Sequence, residues 1–172
     1  MDYRKEYEKW LASPALSEDE RAELKALEGN DKEIKARFYG PLEFGTAGLR
    51  GTMYTGLHNM NRHVIRWATQ GFANVIRAEG EEAMQKGVAV CMDCRNHSAE
   101  FARETACVMA ANGIHVRLFE SLRPTPELSF AVREYGCQAG VNVTASHNPA
   151  TRSTGPTAHS CRRSTLRPLP TS

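Results

Sequence analysis

At 172 residues and 19.1 kDa, with 41% hydrophobic residues and a net charge of +2, the chain has the size and composition of one soluble domain with a sizeable core. No apolar run reaches the ~20 residues of a membrane span, and Met1-Asp2-Tyr3-Arg4-Lys5-Glu6 does not read as a signal peptide, so no membrane partner is expected and a cytoplasmic location is. Residues 151–172 hold four arginines and no acid, which leaves 18 basic against 20 acidic side chains in residues 1–150 and no basic body for nucleic acid to bind.

The five cysteines (91, 94, 107, 137 and 161) are odd in number and mostly sit in apolar helix or strand patterns, which points to reduced core thiols rather than a disulfide framework. Cys91 and Cys94 form a C-x-x-C at the end of a strand pattern, with no second pair to complete a zinc site.

Residues 1–40 read as a helical extension packed against the main domain. Tyr3, Tyr7, Trp10 and Leu11 recur at helical spacing up to a break at Ser13-Pro14. Ser17-Glu18-Asp19-Glu20 is a capping box that starts a second helix ending at Gly29, and a third runs from Asp31 to Phe38. The stretch Phe44 to Met53 places three glycines, Thr46 and Arg50 in one expected loop. Glycine admits close backbone approach, threonine can donate a hydrogen bond, and the guanidinium fork matches phosphate oxygens. A glycine-rich bend packed on a sheet is the competing reading. The stretch is neither a GxGxxG nor a P-loop, so nucleotide binding is not indicated.

Asn61 can cap a long helix to about Glu79, with Val64, Ile65, Trp67, Ala68, Phe72, Val75 and Ile76 expected as core. Gly87 to Met92 reads as a buried strand, and Ser98 caps a helix ending at Asn112-Gly113. Ile114 to Phe119 is the next strand, Glu127 to Tyr135 the next helix, and Ala139 to Val143 the strand before Thr144-Ala145-Ser146-His147-Asn148-Pro149. This alternation predicts an α/β fold with a mixed, mainly parallel sheet and flanking helices. Ligands then gather at the carboxyl ends of the strands, which groups Asp93, Arg95, Arg123 and Ser146-His147-Asn148 on one rim. Singly, each has a plainer reading: an Asp93–Arg95 salt bridge, a solvated Arg123, a turn at Ser146 and His147. Their convergence is what a site requires.

Thr144 to Pro149 resembles the phosphoserine loop of the α-D-phosphohexomutase superfamily, the phosphoglucomutases and phosphomannomutases. Gly45-Thr46-Ala47-Gly48-Leu49-Arg50-Gly51 is similar to the same family's first active-site loop, and the helical N-terminus is closest to its phosphoglucomutase and phosphopentomutase branch. The resemblance covers about residues 1–150, the first of four domains in that family, with domain I at 41–150. It implies a reversible phosphoryl transfer through a phosphoserine and a sugar bisphosphate, on hexose phosphates such as glucose 1-phosphate, with glucose 1,6-bisphosphate as activator. Ser146 would carry the phosphate and, through it, be one ligand of a Mg²⁺ ion. His147 and Asn148 would shape the loop, Arg50 and Thr46 would meet phosphate, and Arg95 and Arg123 are further phosphate-binding candidates. Oligomeric state is not indicated.

After Pro149 the chain departs from the family pattern "xYNGYKVYxxDGAQ", whose lysine is a candidate general acid/base; no lysine follows Lys86 here. Residues 151–172, with five Thr, four Ser, three Pro and no aromatic, read as a disordered tail. Codons for Ala150 onward can be chosen so that the shifted frame spells YKVYWADGAQLPPEH, the family continuation, so a frameshift in a truncated chain is expected. The family's "DGDxDR" metal loop and "GExSG" sugar loop are not in this sequence, and the isolated chain is expected to be inactive. The alternatives are a non-catalytic remnant or binding module, and a phosphomannomutase or phosphopentomutase fragment.

Overall fold

The computed structural model describes residues 1–45 and 48–144, and the backbone of 159–164. Three short helices come first: α1 (Tyr3–Leu11), α2 (Glu18–Lys25) and α3 (Asp31–Phe38). Each starts on a side-chain cap, from Asp2, Ser17 and Asn30 respectively, because these oxygens satisfy backbone N–H groups that the first turn leaves unpaired. Their apolar faces close on one another around Tyr7, Leu24, Ile34 and Phe38, with Leu57 from the following segment joining the cluster. α2 ends at Lys25 rather than Gly29; three overlapping turns carry the chain on to Asn30.

Charge locks these helices to the rest. Arg37 is 7% exposed. Its guanidinium reaches Glu23 at 2.5 Å and Glu33 at 3.0 Å and lies 4.3 Å from the centre of the Tyr54 ring. Glu20 closes the Ser17 capping box and also takes Arg62 at 2.6 Å and His63 at 3.1 Å from the start of the next long helix. Burial alone would raise the Glu20 carboxyl; the Ser17 N–H, His63 and Arg62 outweigh it and hold the group below the usual carboxylate range. A carboxylate lowered on folding stabilises the folded state above its unfolded pKa of about 4.3 and loses that contribution as pH falls through the folded value. Glu20→Gln is therefore expected to cost about 1–2 kcal/mol at pH 7, in urea denaturation, with the gap to wild type shrinking from about pH 5 downward.

A hairpin of β1 (Phe44–Gly45) and β2 (Gly48–Gly51) follows, then α4 (Arg62–Glu79), α5 (Glu81–Lys86), β3 (Val88–Met92), α6 (Ser98–Ala111), β4 (Val116–Leu118), α7 (Thr125–Glu134), β5 (Ala139–Thr144) and β6 (His159–Ser164). The strands make one sheet in the order β1-β2-β6-β5-β3-β4. β5, β3 and β4 are parallel, in register Val88↔Ala139 and Val88↔Val116, while β6 runs antiparallel between β2 and β5. The parallel half is the predicted one. Val88 and Val90 of β3 and Val141 and Val143 of β5 face a core shared with α4 and α6; Ala89 and Cys91 face Leu128 and Val132 of α7 on the other side. Helices lie on opposite faces because β3 to β4 steps one way across the sheet and β4 to β5 steps back, each crossover keeping its right hand.

Several expectations change. In the Gly-rich stretch, Phe44–Gly45 and Gly48–Gly51 pair as antiparallel strands rather than forming one loop; Leu49 points into the core, 1% exposed, and β2 pairs with β6. The α4 face is wider than the sheet beneath it: Val64, Ile65, Ala73 and Ile76 are buried, but Trp67 is 59% exposed and, with Leu42, Phe44, Phe72 and Val75, lines an apolar groove of about 740 Å³. Ser98 does not cap α6; His97 holds that position at φ 63°, with no side-chain cap bond. The tail expected to be without structure contains β6, since pairing to open strand edges uses backbone groups and needs no apolar side chains. The rest of 150–172 lies outside the described residues.

Two of the cysteines are not core. Cys91 and Cys137 are buried and Cys94 and Cys107 exposed. Burial, followed by the charges of Asp93 and Glu127, pushes the Cys91 thiol up to about 12, and burial also raises Cys137. Iodoacetamide on the native protein should modify Cys94 and Cys107 and spare Cys91 and Cys137 until denaturant is added, as peptide mass mapping would show.

Candidate active site

β3 and β5 are the strands at which the connections reverse direction, and in such sheets the crevice beyond their carboxyl ends is where ligands bind. Asp93 leaves β3 at that point. Its N–H donates to Val143 O of β5 at 3.2 Å. One carboxylate oxygen accepts from Ser98 Oγ at 2.8 Å and from the Arg95 N–H at 3.0 Å; the other accepts from Thr144 Oγ1 at 2.6 Å. The expected Asp93–Arg95 link thus runs through the Arg95 main chain, as a local turn closed by the carboxylate.

Two residues before Thr144, Asn142 is 2% exposed on the central strand β5. Its amide donates to Thr125 Oγ1 at 2.6 Å, and its carbonyl accepts from the Cys91 thiol at 3.1 Å. A buried amide has to be paired, and this one ties β3, β5 and the first turn of α7 together. The Arg123 N–H donates to Met92 O at 3.0 Å, so the loop before α7 is pinned to the end of β3. The Arg123 side chain, 44% exposed, pairs with Glu127 at 3.0 Å.

Arg50 comes from the other side. Arg50 of β2 and Thr144 of β5 both register with Ser160 of β6, so they stand level, two strand spacings or about 10 Å apart. β2 and β5 run in the same direction, both being antiparallel to β6. The guanidinium of Arg50 is exposed and makes no ion pair among the described residues. Thr46, Ser146, His147 and Asn148 lie outside the described residues. The structure therefore brings Asp93, Arg95, Thr144 and Arg50 to one end of the sheet and attaches Arg123 through its main chain.

Among the described residues no group of three or more His, Cys, Asp or Glu could hold a metal ion. Both oxygens of Asp93 are engaged by protein donors. The described residues thus do not supply a Mg²⁺ ligand set. The Cys91 thiol is turned to Asn142 while Cys94 is exposed, so the C-x-x-C does not converge. The groove beside Trp67 is lined mainly by apolar side chains, with Glu43, Thr69 and Thr105 among them; Arg50, Asp93, Arg95 and Thr144 do not line it, and its described lining offers none of the cationic donors a phosphorylated ligand requires. Among the described residues no helix is long and apolar enough to cross a membrane.

Asn142 and Ser98 were not legible as site residues. Asn142 sits in a run that reads as a buried strand, and the one signal is an amide in a place where only apolar side chains are expected. Ser98 reads as a helix cap from its position alone.

Residues 41–154 match the family described as phosphoglucomutase/phosphomannomutase, alpha/beta/alpha domain I. A phosphopentomutase of Homo sapiens is 40% identical over 128 residues, which cover 71% of this chain and 21% of that protein. A phosphoglucomutase of Staphylococcus saprophyticus is 40% identical over 119 residues, 69% of this chain and 21% of that one. A crystal structure from Thermus thermophilus described as a phosphomannomutase superposes with a TM-score of 0.62 at 29% identity, over 73% of this chain and 26% of its own. The chain spans about a fifth of the length of the two sequence relatives.

Proposed function

Because the chain belongs to the phosphoglucomutase/phosphomannomutase family, and its matched residues are α/β/α domain I of that family, we propose that Ser146 is the phosphoserine of a sugar-phosphate mutase. The observation that supports this best is the placement of Arg50, which has no ion pair among the described residues, level with Thr144, two residues before Ser146, at the strand ends where the sheet's connections reverse. In the transfer, the phosphorus–oxygen bond to Ser146 breaks and one to a sugar hydroxyl forms. The hydroxyl gives up its proton, and the serine oxygen regains one when it leaves. Arg50 meets phosphate oxygens with its guanidinium fork, stabilising charge on the group in flight. His147 and Asn148 shape the loop, and Thr46, Arg95 and Arg123 are secondary phosphate contacts. Mg²⁺ would be bound through the Ser146 phosphate and would neutralise charge developing in transfer.

The unit proposed to do this is 41–150, with 1–40 as its helical extension. Hexose phosphates are the proposed substrates, glucose 1-phosphate and glucose 6-phosphate first, in line with the phosphoglucomutase similarity. The equal identity to a phosphopentomutase supports pentose phosphates as the second reading. Positioning supplies most of the catalysis of phosphoryl transfer, so these 172 residues alone are proposed to accept phosphate without turning over. Intact-mass analysis after exposure to glucose 1,6-bisphosphate tests the proposal: one phosphate on wild type and none on Ser146→Ala supports it. Faster loading from ribose 1,5-bisphosphate would favour the pentose reading. Sustained glucose 6-phosphate formation in a coupled assay would contradict the absence of turnover.

A further inference from the structure

We infer that Asp93 is the positioning residue of the Ser146 loop, acting through Thr144. The inference rests on the Ser146 reading above. Thr144 is the last residue of β5 and lies two residues before Ser146. Its hydroxyl donates to one Asp93 oxygen at 2.6 Å, within the short range of O–H donors on a carboxylate. The other oxygen is held from two directions by Ser98 Oγ and the Arg95 N–H, and the Asp93 main chain is held by Val143 O. The carboxylate is thus fixed to α6, to its own turn and to β5. It in turn fixes the side chain of Thr144, the last residue of β5.

The local sequence gives up stability to build this clasp. Ser98, at the first position of α6, turns its hydroxyl to Asp93, and the helix begins on a left-handed His97 with no side-chain cap bond. A left-handed non-glycine residue and a missing cap are both unfavourable, and neither is needed merely to start a helix. Three donors converging on one group also call for a carboxylate, which accepts through both oxygens; an asparagine would turn an NH₂ toward one of them.

Variants of the full chain at Thr144 separate this from a general structural role, because Thr144→Ser keeps the hydroxyl and Thr144→Val removes it at nearly constant volume. Three readouts are compared: amide hydrogen exchange of the peptide spanning 145–150, the thermal midpoint, and the rate of phosphate loading from glucose 1,6-bisphosphate. Thr144→Val is expected to speed exchange in 145–150 by at least about tenfold and to slow loading by a similar factor, the loss of one charge-assisted hydrogen bond. Exchange in β3 and α6 and the thermal midpoint should stay near wild type, and Thr144→Ser should restore loop exchange and loading together. Loop exchange unchanged in Thr144→Val, or raised equally throughout the chain, overturns the positioning role. Wild type that takes no phosphate overturns the Ser146 reading, and the exchange comparison then still decides whether Asp93 orders the loop.

Discussion

Gly87→Ala is expected to destabilise the chain by at least about 3 kcal/mol, among the larger effects a single methyl group can have. Gly87 lies between α5 and β3 at φ +69° and ψ −161°, a region essentially reserved for glycine that costs a side chain about 1–3 kcal/mol by itself. The added Cβ would fall 2.1 Å from the carbonyl oxygen of His115, a backbone atom that cannot rotate away. That oxygen accepts from the Val88 N–H at 2.8 Å, and Gly87 O accepts from the Gln138 N–H at 2.9 Å. Any shift that relieves the clash therefore disturbs the entries to β3, β4 and β5 together, the three parallel strands that carry the proposed site. Gly80, at φ +102° and ψ −178° with nothing within 4 Å of the same added atom, is the control: Gly80→Ala should cost only the conformational part, about 1–3 kcal/mol. Equal losses for the two variants in urea denaturation would refute the steric account.

Arg50→Ala is expected to slow phosphate loading of Ser146 by about a hundredfold, the range seen when one preorganised donor to a reacting oxyanion is removed. Its effect on stability should be small, since the side chain is exposed and makes no ion pair among the described residues. Arg50→Lys should recover only part of the rate, because an ammonium keeps the charge but not the planar fork that grips two phosphate oxygens. Initial loading rates by intact mass, read beside urea midpoints, separate the two consequences. Loading within twofold of wild type in Arg50→Ala would remove the residue from the phosphate site.

Elements set by local chemistry were the legible ones. The Ser17–Glu20 capping box and the Asp31–Phe38 helix were readable because the caps and apolar spacing act within one or two turns. The strands β3 and β5 were readable as short apolar runs between turn signals, and the parallel pairing followed from the helices between them. What escaped was too short to show a pattern or depended on distant partners. The six residues of α5, bounded by Gly80 and Gly87, are too few to show a helical period, and the β1–β2 hairpin exists because β6 covers its edge. Trp67 and Val75 continue the apolar stripe of α4, but nothing in a stripe says where the sheet beneath it stops.

At the candidate site, the family motifs drew attention to the Arg50 and Ser146 segments, and the rule for parallel sheets grouped Asp93 and Arg95 with the second of them. The roles of Asp93 and Asn142 could not be read in advance. They come from donors about fifty residues away, Thr144 on Asp93 and Cys91 on Asn142, which only the strand register brings into contact.

The proposal that Ser146 carries a phosphoryl group is tested most directly by phosphopeptide mapping of the full chain after exposure to glucose 1,6-bisphosphate. The predicted result is a single phosphate on the peptide containing Ser146, assigned to that residue by fragmentation and absent from Ser146→Ala. No phosphate, or phosphate at another residue that persists in Ser146→Ala, would contradict it.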